Sequence, residues 1–233
     1  MKHCLEVDSV ILAFGERRIL QDVFLKNETG QITGILGRNG SGKTCLLNII
    51  YGELKTADKS VRIDDTTIFE GYKDPQNLRY LPQFNFIPKN LHIKRIFKDF
   101  SLDFAQFTAY FPSFEKYYNS PLKNLSGGEC RIVEIYTILA SKTKFCLLDE
   151  PFSQIMPVHI QTIKSIINKE KQNKGIIITD HLYNHVLDIC DNIYLIADGK
   201  THLTKSKNDL VRLGYIRENQ LVKWVLNLTE SSM

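Results

Sequence analysis

The sequence predicts an α/β fold with a mainly parallel sheet, led by an antiparallel β-subdomain and interrupted by an inserted helical subdomain. Three observations carry this reading. The run Gly37-Arg38-Asn39-Gly40-Ser41-Gly42-Lys43-Thr44 fits the phosphate-loop pattern G-x-x-x-x-G-K-[ST] between an Ile-rich strand at 32–36 and an apolar helix at 45–50. After residue 30, short apolar runs alternate with helix-patterned segments, as a parallel sheet requires. Residues 91–118 break that alternation with Phe and Ile at helical spacing.

Bulk properties narrow the classes. With 233 residues the chain can bury a substantial core. A net charge of +4, from 30 basic and 26 acidic residues, reads as a solvated surface, and no nucleic-acid partner is expected. Cys4, Cys45, Cys130, Cys146 and Cys190 are scattered without a C-x-x-C pair, which suits reduced thiols in a cytosolic protein. No stretch approaches the ~20 apolar residues of a spanning helix, and residues 1–6 do not read as a signal peptide. Work at a membrane would therefore need another chain to supply the span.

In chain order, residues 4–14 partly alternate as a strand, 15–18 turn, and 19–26 return as a second strand of a hairpin. Phe14 precedes that turn, where its ring could stack on a base, although an aromatic there is by itself expected in the core. In the phosphate loop, Gly37, Gly40 and Gly42 are expected at backbone angles that a Cβ forbids, so successive N–H groups converge on phosphate oxygens. The positive end of the following helix adds to that field. Lys43 would neutralise β- and γ-phosphates, and the Thr44 hydroxyl would bind Mg²⁺.

Residues 61–69 read as two short strands about Asp64-Asp65, and 78–81 as a strand stopped by Pro82, with Gln83 opening a loop to Pro88. Ile93, Ile96, Phe97 and Phe100, then Phe104, Phe107 and Phe111 with Pro112 as breaker, mark the helices of a subdomain over about 91–141. Its aromatics are expected to pack the subdomain itself, with a docking surface as the alternative. Within it, Ser126 stands as the N-cap of a helix opened by Gly127 and Gly128, a second potential anion site, though S-G-G is common in loops.

Residues 145–148 form a buried strand that runs into Asp149 and Glu150, the order expected of a metal-water ligand followed by a general base. Val158, Ile160, Ile163, Ile166 and Ile167 mark an amphipathic helix, and 175–179 a buried strand that ends at Asp180-His181. His181 and His185 are four apart but lack a third ligand of suitable spacing, so zinc is not expected. A helix at about 182–189, a strand at 193–197, the turn Asp198-Gly199, helices at 206–213 and 221–228, and a loose end at 229–233 complete the chain.

In this order the segments resemble the nucleotide-binding domain of ABC (ATP-binding cassette) ATPases, a P-loop NTPase fold, over nearly the whole chain as one domain. Residues 37–44 match the Walker A motif, Gln83 the Q-loop glutamine, Leu125-Ser126-Gly127-Gly128-Glu129 the LSGGQ signature with Glu in last place, Asp149-Glu150 the Walker B end, and His181 the switch histidine. In detail, 125–129 with Val133-Glu134-Ile135, 147–152 and 178–181 look most like the ATPases of lipopolysaccharide-export and branched-chain amino-acid transporters.

The resemblance implies a mechanism and partners. ATP and Mg²⁺ are the expected cofactors. Phe14, Gly37, Arg38, Asn39, Gly40, Ser41, Gly42, Lys43, Thr44, Cys45 and Gln83 would bind nucleotide, with Thr44, Gln83 and Asp149 about the metal. Glu150 would polarise the attacking water, His181 would contact the γ-phosphate, and Gln83 would sense it through the metal shell. Two cassettes, identical or not, would dimerise head to tail, with residues 125–129 of one chain against the ATP of the other. The dimer would sit on the cytoplasmic inner face of the cell membrane and move a separate transmembrane permease subunit. One departure is Met156, which stands where the family's D-loop ends in Asp. Two other classes fit a single cassette: a soluble ABC protein acting without transport, such as an iron-sulfur assembly scaffold, and an ATP-dependent interaction module with little hydrolysis.

Overall fold

The structure is a computed structural model that describes residues 2–204 and 206–217. The helix expected at 221–228 and the loose end after it lie outside the described residues. Strands β1 (Cys4–Phe14), β2 (Arg17–Leu20) and β3 (Phe24–Glu28) lead to β4 (Ile32–Gly37) and α1 (Lys43–Tyr51). Then come β5 (Asp58–Ile63), β6 (Thr66–Thr67) and β7 (Leu78–Leu81). Helices α2 (Ile93–Asp99), α3 (Phe104–Tyr110) and α4 (Gly127–Ala140) follow before β8 (Phe145–Asp149). The chain continues through α5 (Pro157–Glu170), β9 (Gly175–Thr179), α6 (Tyr183–Ile189), β10 (Asn192–Ala197), β11 (Lys200–Thr204) and α7 (Lys207–Arg212).

A six-stranded sheet of order β11-β10-β4-β9-β8-β7 forms the centre, parallel except for β11. Its middle strands are continuous apolar runs because both faces are covered. Ile32, Leu36, Cys146, Leu148, Ile176 and Ile178 pack into one core with residues of α4, α5 and α6. Their neighbours Ile35, Leu147 and Ile177 point the other way, into a second core with α1 and the antiparallel strands. The phosphate loop, Asp149 and Thr179 all lie at carboxyl ends of adjacent parallel strands, where such sheets place ligands.

The antiparallel unit is organised on β1, which pairs with β2, β3 and β5. The expected return strand is split at residues 21–23. Gln21 leaves the ladder there, donating its backbone N–H to Gly199 O at 2.9 Å and its side chain to Asp198 O at 2.7 Å. The acceptors belong to the β10–β11 hairpin, whose turn residues Asp198 and Gly199 have φ of 49° and 75°. Strand β11 itself is not marked in the sequence, since Lys200–Thr204 is polar and only half-buried at an edge. Asp64 and Asp65, with φ of 51° and 65°, make the same kind of two-residue turn between β5 and β6.

Between β7 and β8, Phe97, Phe107, Phe111, Phe114 and Tyr136 are buried against one another, with Phe107 and Tyr136 ring centroids 4.9 Å apart. These rings fill the helical part and tie it to α4, so they are packing residues. On α5, Ile160, Ile163, Ile166 and Ile167 are buried but Val158 is 70% exposed, contrary to the expected stripe. Two residues before Ile160 is about 200° around the helix, which puts Val158 on the opposite side.

Candidate active site

Strand β4 delivers the chain to Gly37, and α1 starts six residues later at Lys43. Gly40 and Gly42 take φ of 77° and 100°, the left-handed region expected of them. Gly37 has no positive φ, and its requirement is one of space: a Cβ there would lie 3.1 Å from Ile196 O and would overlap Ser41 Oγ. The Lys43 side chain folds over this loop and donates to Gly37 O at 2.8 Å and Arg38 O at 3.3 Å. Burial lowers its pKa, opposed by Glu150, Asp149 and Asp180. Arg38 turns away, donating to Gly214 O at 3.0 Å.

Asp149 ends β8 fully buried. Tyr80 OH donates to its Oδ2 at 3.2 Å and Thr179 Oγ1 to its Oδ1 at 3.1 Å. Burial lifts the pKa of this carboxyl, while hydrogen bonds from Thr44, Thr179 and Tyr80 pull it back. Glu150 follows in the left-handed region at φ 49°, a conformation that costs of order 1 kcal/mol for a residue with a Cβ. That bend turns the carboxylate into the cleft. Gln83 Nε2 donates to Glu150 Oε2 at 2.9 Å, Ser153 Oγ donates to it at 3.1 Å, and His181 Nδ1 lies 3.3 Å from the same oxygen. The loop carrying His181 is fixed by buried Asp180, which accepts from Phe152 N at 2.9 Å and Leu182 N at 2.8 Å.

These groups meet in one cleft of about 600 Å³, lined by Phe14, Arg17, Ile19, Asn39, Gly40, Gly42, Lys43, Thr44, Cys45, Gln83, Glu150 and His181. The chain thus gathers residues drawn from 14 to 181. Phe14 is 56% exposed here, which corrects the expectation that this aromatic belongs to the core. The donor set fits a polyphosphate with a hard cation: Ser41 Oγ is buried without a hydrogen-bond partner among the described residues, a cationic amine faces the loop, and Thr44 stands beside Asp149. His185 is turned elsewhere, its ring 5.2 Å from that of Phe152, so the two histidines do not form a pair.

Residues 125–129 do not line this cleft. Ser126 caps α4 in a reciprocal box, accepting from Glu129 N at 3.3 Å while Glu129 Oε2 accepts from Ser126 N at 2.8 Å. Glutamate in the last signature place is thereby explained. Gly128 is needed because a Cβ would meet Gln154 O at 2.9 Å, whereas Gly127 faces open space. Met156 is 60% exposed at the N-cap of α5 and makes no side-chain cap. Because His159 N already donates to Met156 O at 2.9 Å, Met156→Asp should cap the Val158 amide and raise stability by about 1 kcal/mol, read as a higher midpoint in chemical denaturation. An unchanged or lower midpoint would show that the carboxylate finds no donor.

Sequence reasoning missed Arg17, Tyr80, Ser153 and Arg131. Arg131, 2% exposed, donates from Nη1 to Pro82 O at 2.7 Å and from Nη2 to Asp149 O at 2.9 Å. The available signal was a charged residue in an apolar helix stripe, two places after Glu129. Ser153 and Tyr80 carried no signal, because their roles depend on which strands become neighbours.

The sequence profile described as "ABC transporter" matches residues 20–153. The lipopolysaccharide export system ATP-binding protein LptB of Haemophilus influenzae is 31% identical over 84% of this chain and 88% of its own length. LptB of Escherichia coli K12 is 32% identical over 84% of this chain and 87% of its own. Among solved structures, an ATP-binding subunit of an ABC transporter superposes with a TM-score of 0.76 at 20% identity, over 97% of this chain and 99% of that one. A bacterial Atm1-family ABC exporter with ATP bound gives 0.77 at 21% identity, over 91% of this chain and 40% of that one. At these identities the structural likenesses speak to the fold.

Proposed function

Since the chain belongs to the ABC transporter family, we propose that it is the energy-coupling subunit of a transporter whose membrane-spanning part is a separate permease chain. It is an ATP-binding ATPase. The observation that most supports hydrolysis at this site is the meeting of Gln83, Ser153 and His181 on Glu150 Oε2, in the cleft that also holds Lys43.

In this reading Lys43 and the loop amides hold the β- and γ-phosphates, and Phe14 stacks on the base. Mg²⁺, held by Thr44 with Asp149 and Gln83 about it, would neutralise phosphate charge. Glu150 accepts a hydrogen bond from the attacking water, and His181, released from Glu150, turns to the γ-phosphate. Exposed Ser126 and Gly127 contact the ATP of a second chain, so closure of a head-to-tail dimer completes each site. Gln83 links that event to the permease, because it carries the loop that leads from β7 to the helical subdomain. The domain is a single cassette, peripheral on the cytoplasmic face. Among the described residues no helix is long and apolar enough to cross a membrane.

Met156 bears on coupling between the two sites. It gives flexible apolar contact but no charge-assisted hydrogen bond, so the sites are weakly coupled, and Met156→Asp should raise the Hill coefficient for ATP in partner-stimulated turnover. Strong cooperativity in the native protein would place the coupling elsewhere. The class itself is tested by affinity purification from native membranes. An integral membrane protein should copurify, and the likeness to LptB makes lipopolysaccharide export the first transport process to assay. Recovery without any membrane protein would favour a soluble cassette such as an iron-sulfur assembly scaffold.

A further inference from the structure

Helix α4 carries the exposed Ser126-Gly127 end and, one and two turns further on, the buried charged residues Arg131 and Glu134. Arg131 donates to the carbonyl of Pro82 at 2.7 Å and to that of Asp149 at 2.9 Å. Each carbonyl belongs to the residue immediately before a member of the Gln83–Glu150 pair, whose side chains are 2.9 Å apart. Glu134, fully buried, receives the amides of Phe86 at 2.8 Å and Ile87 at 3.1 Å on Oε1, and Asn85 Nδ2 at 3.1 Å on Oε2. Arg131 Nη1 lies 3.6 Å from Glu134 Oε2. One helix therefore holds both sides of the contact that aims Glu150.

We propose that Arg131 and Glu134 are positioning residues for ATP hydrolysis, a buried tie through which the placement of α4 sets the Gln83–Glu150 pair. This rests on the roles assigned above to Gln83 and Glu150. A buried ion pair is a poor source of net stability compared with apolar residues of similar size, so its value here is the geometry it enforces. The guanidinium fork suits the task because its two terminal nitrogens reach two carbonyls in fixed relation, which one ammonium cannot do. Movement of α4 when its Ser126 end engages a second chain is passed to both backbones at once. The closing of the dimer and the aiming of Glu150 then become one event.

The test uses the full chain. Arg131→Lys keeps charge but loses the fork, and Arg131→Met with Glu134→Leu removes both buried charges together so that neither is stranded. Each should bind MgATP within about twofold of wild type by calorimetry, while kcat falls by about tenfold for Arg131→Lys and about a hundredfold for the double variant. Gln83→Ala should lower kcat in the wild-type background and add little in the double variant, because the pair it breaks is already misplaced. Amide exchange at residues 85–87 should quicken in the double variant. Folded variants with wild-type kcat would overturn the proposal, as would parallel losses of affinity and kcat with full additivity of Gln83→Ala. A wild-type chain that hydrolyses no ATP would instead remove the functional reading on which the tie depends.

Discussion

Glu150→Gln should lower kcat by about 10²- to 10⁴-fold while leaving MgATP affinity within about twofold, the signature of a lost general base. Three other side chains converge on this carboxylate in the cleft: Gln83, Ser153 and His181. An amide of the same shape preserves that packing. It still accepts through its oxygen, so the loop at residues 150–153 keeps its bend, but it no longer draws a proton from water. Steady-state phosphate release, paired with calorimetry on the same preparation, separates the two effects. A kcat within threefold of wild type would assign the base to another residue.

Lys43→Ala acts on binding instead. The ammonium is buried over the loop, where among the described residues Gly37 O and Arg38 O receive it, and burial already lowers its pKa. A polyphosphate offers far better acceptors, and charge-assisted bonds of about 1.5–3 kcal/mol each imply a loss of about a hundredfold or more in ATP affinity. Because the lysine sits where α1 begins, its removal leaves the core contacts of Leu46, Leu47, Ile49 and Ile50 in place. Circular dichroism should therefore be unchanged. Equal affinity in a folded Lys43→Ala chain would mean that the loop does not hold phosphate.

What could be read from the sequence was local. The phosphate loop, the strand that stops at Pro82, the strand that ends in Asp149 and the cap at Ser126 each depend on residues within a few places of one another, and each lies where expected. The contacts that tune the site depend on sheet order, which short-range pattern does not contain. Tyr80 reaches Asp149 because β7 lies beside β8, and Thr179 reaches it because β9 lies on the other side. Arg131 is buried because two carbonyls facing α4 need a donor, and which carbonyls those are depends on the loops that end β7 and β8. Strand β11 and the break at Gln21 depend on each other across 178 residues, as Asp22 and Lys200 show. The reason Gly37 is a glycine was likewise hidden: the constraint is a neighbour, Ser41 with Ile196, and not a backbone angle.

In the proposed function one chain leaves the site incomplete, a reading supported by Ser126 and Gly127, which are exposed and stand outside the cleft that holds Lys43 and Glu150. The direct measurement is the molar mass of the Glu150→Gln chain by light scattering, with and without saturating MgATP. Blocked hydrolysis should trap the closed form, so the mass should move from that of a 26.9 kDa chain to twice that value with MgATP and return when nucleotide is removed. A mass that stays at one chain with MgATP bound, together with failure of the same variant to trap nucleotide when its copurified membrane protein is present, would contradict the two-chain site.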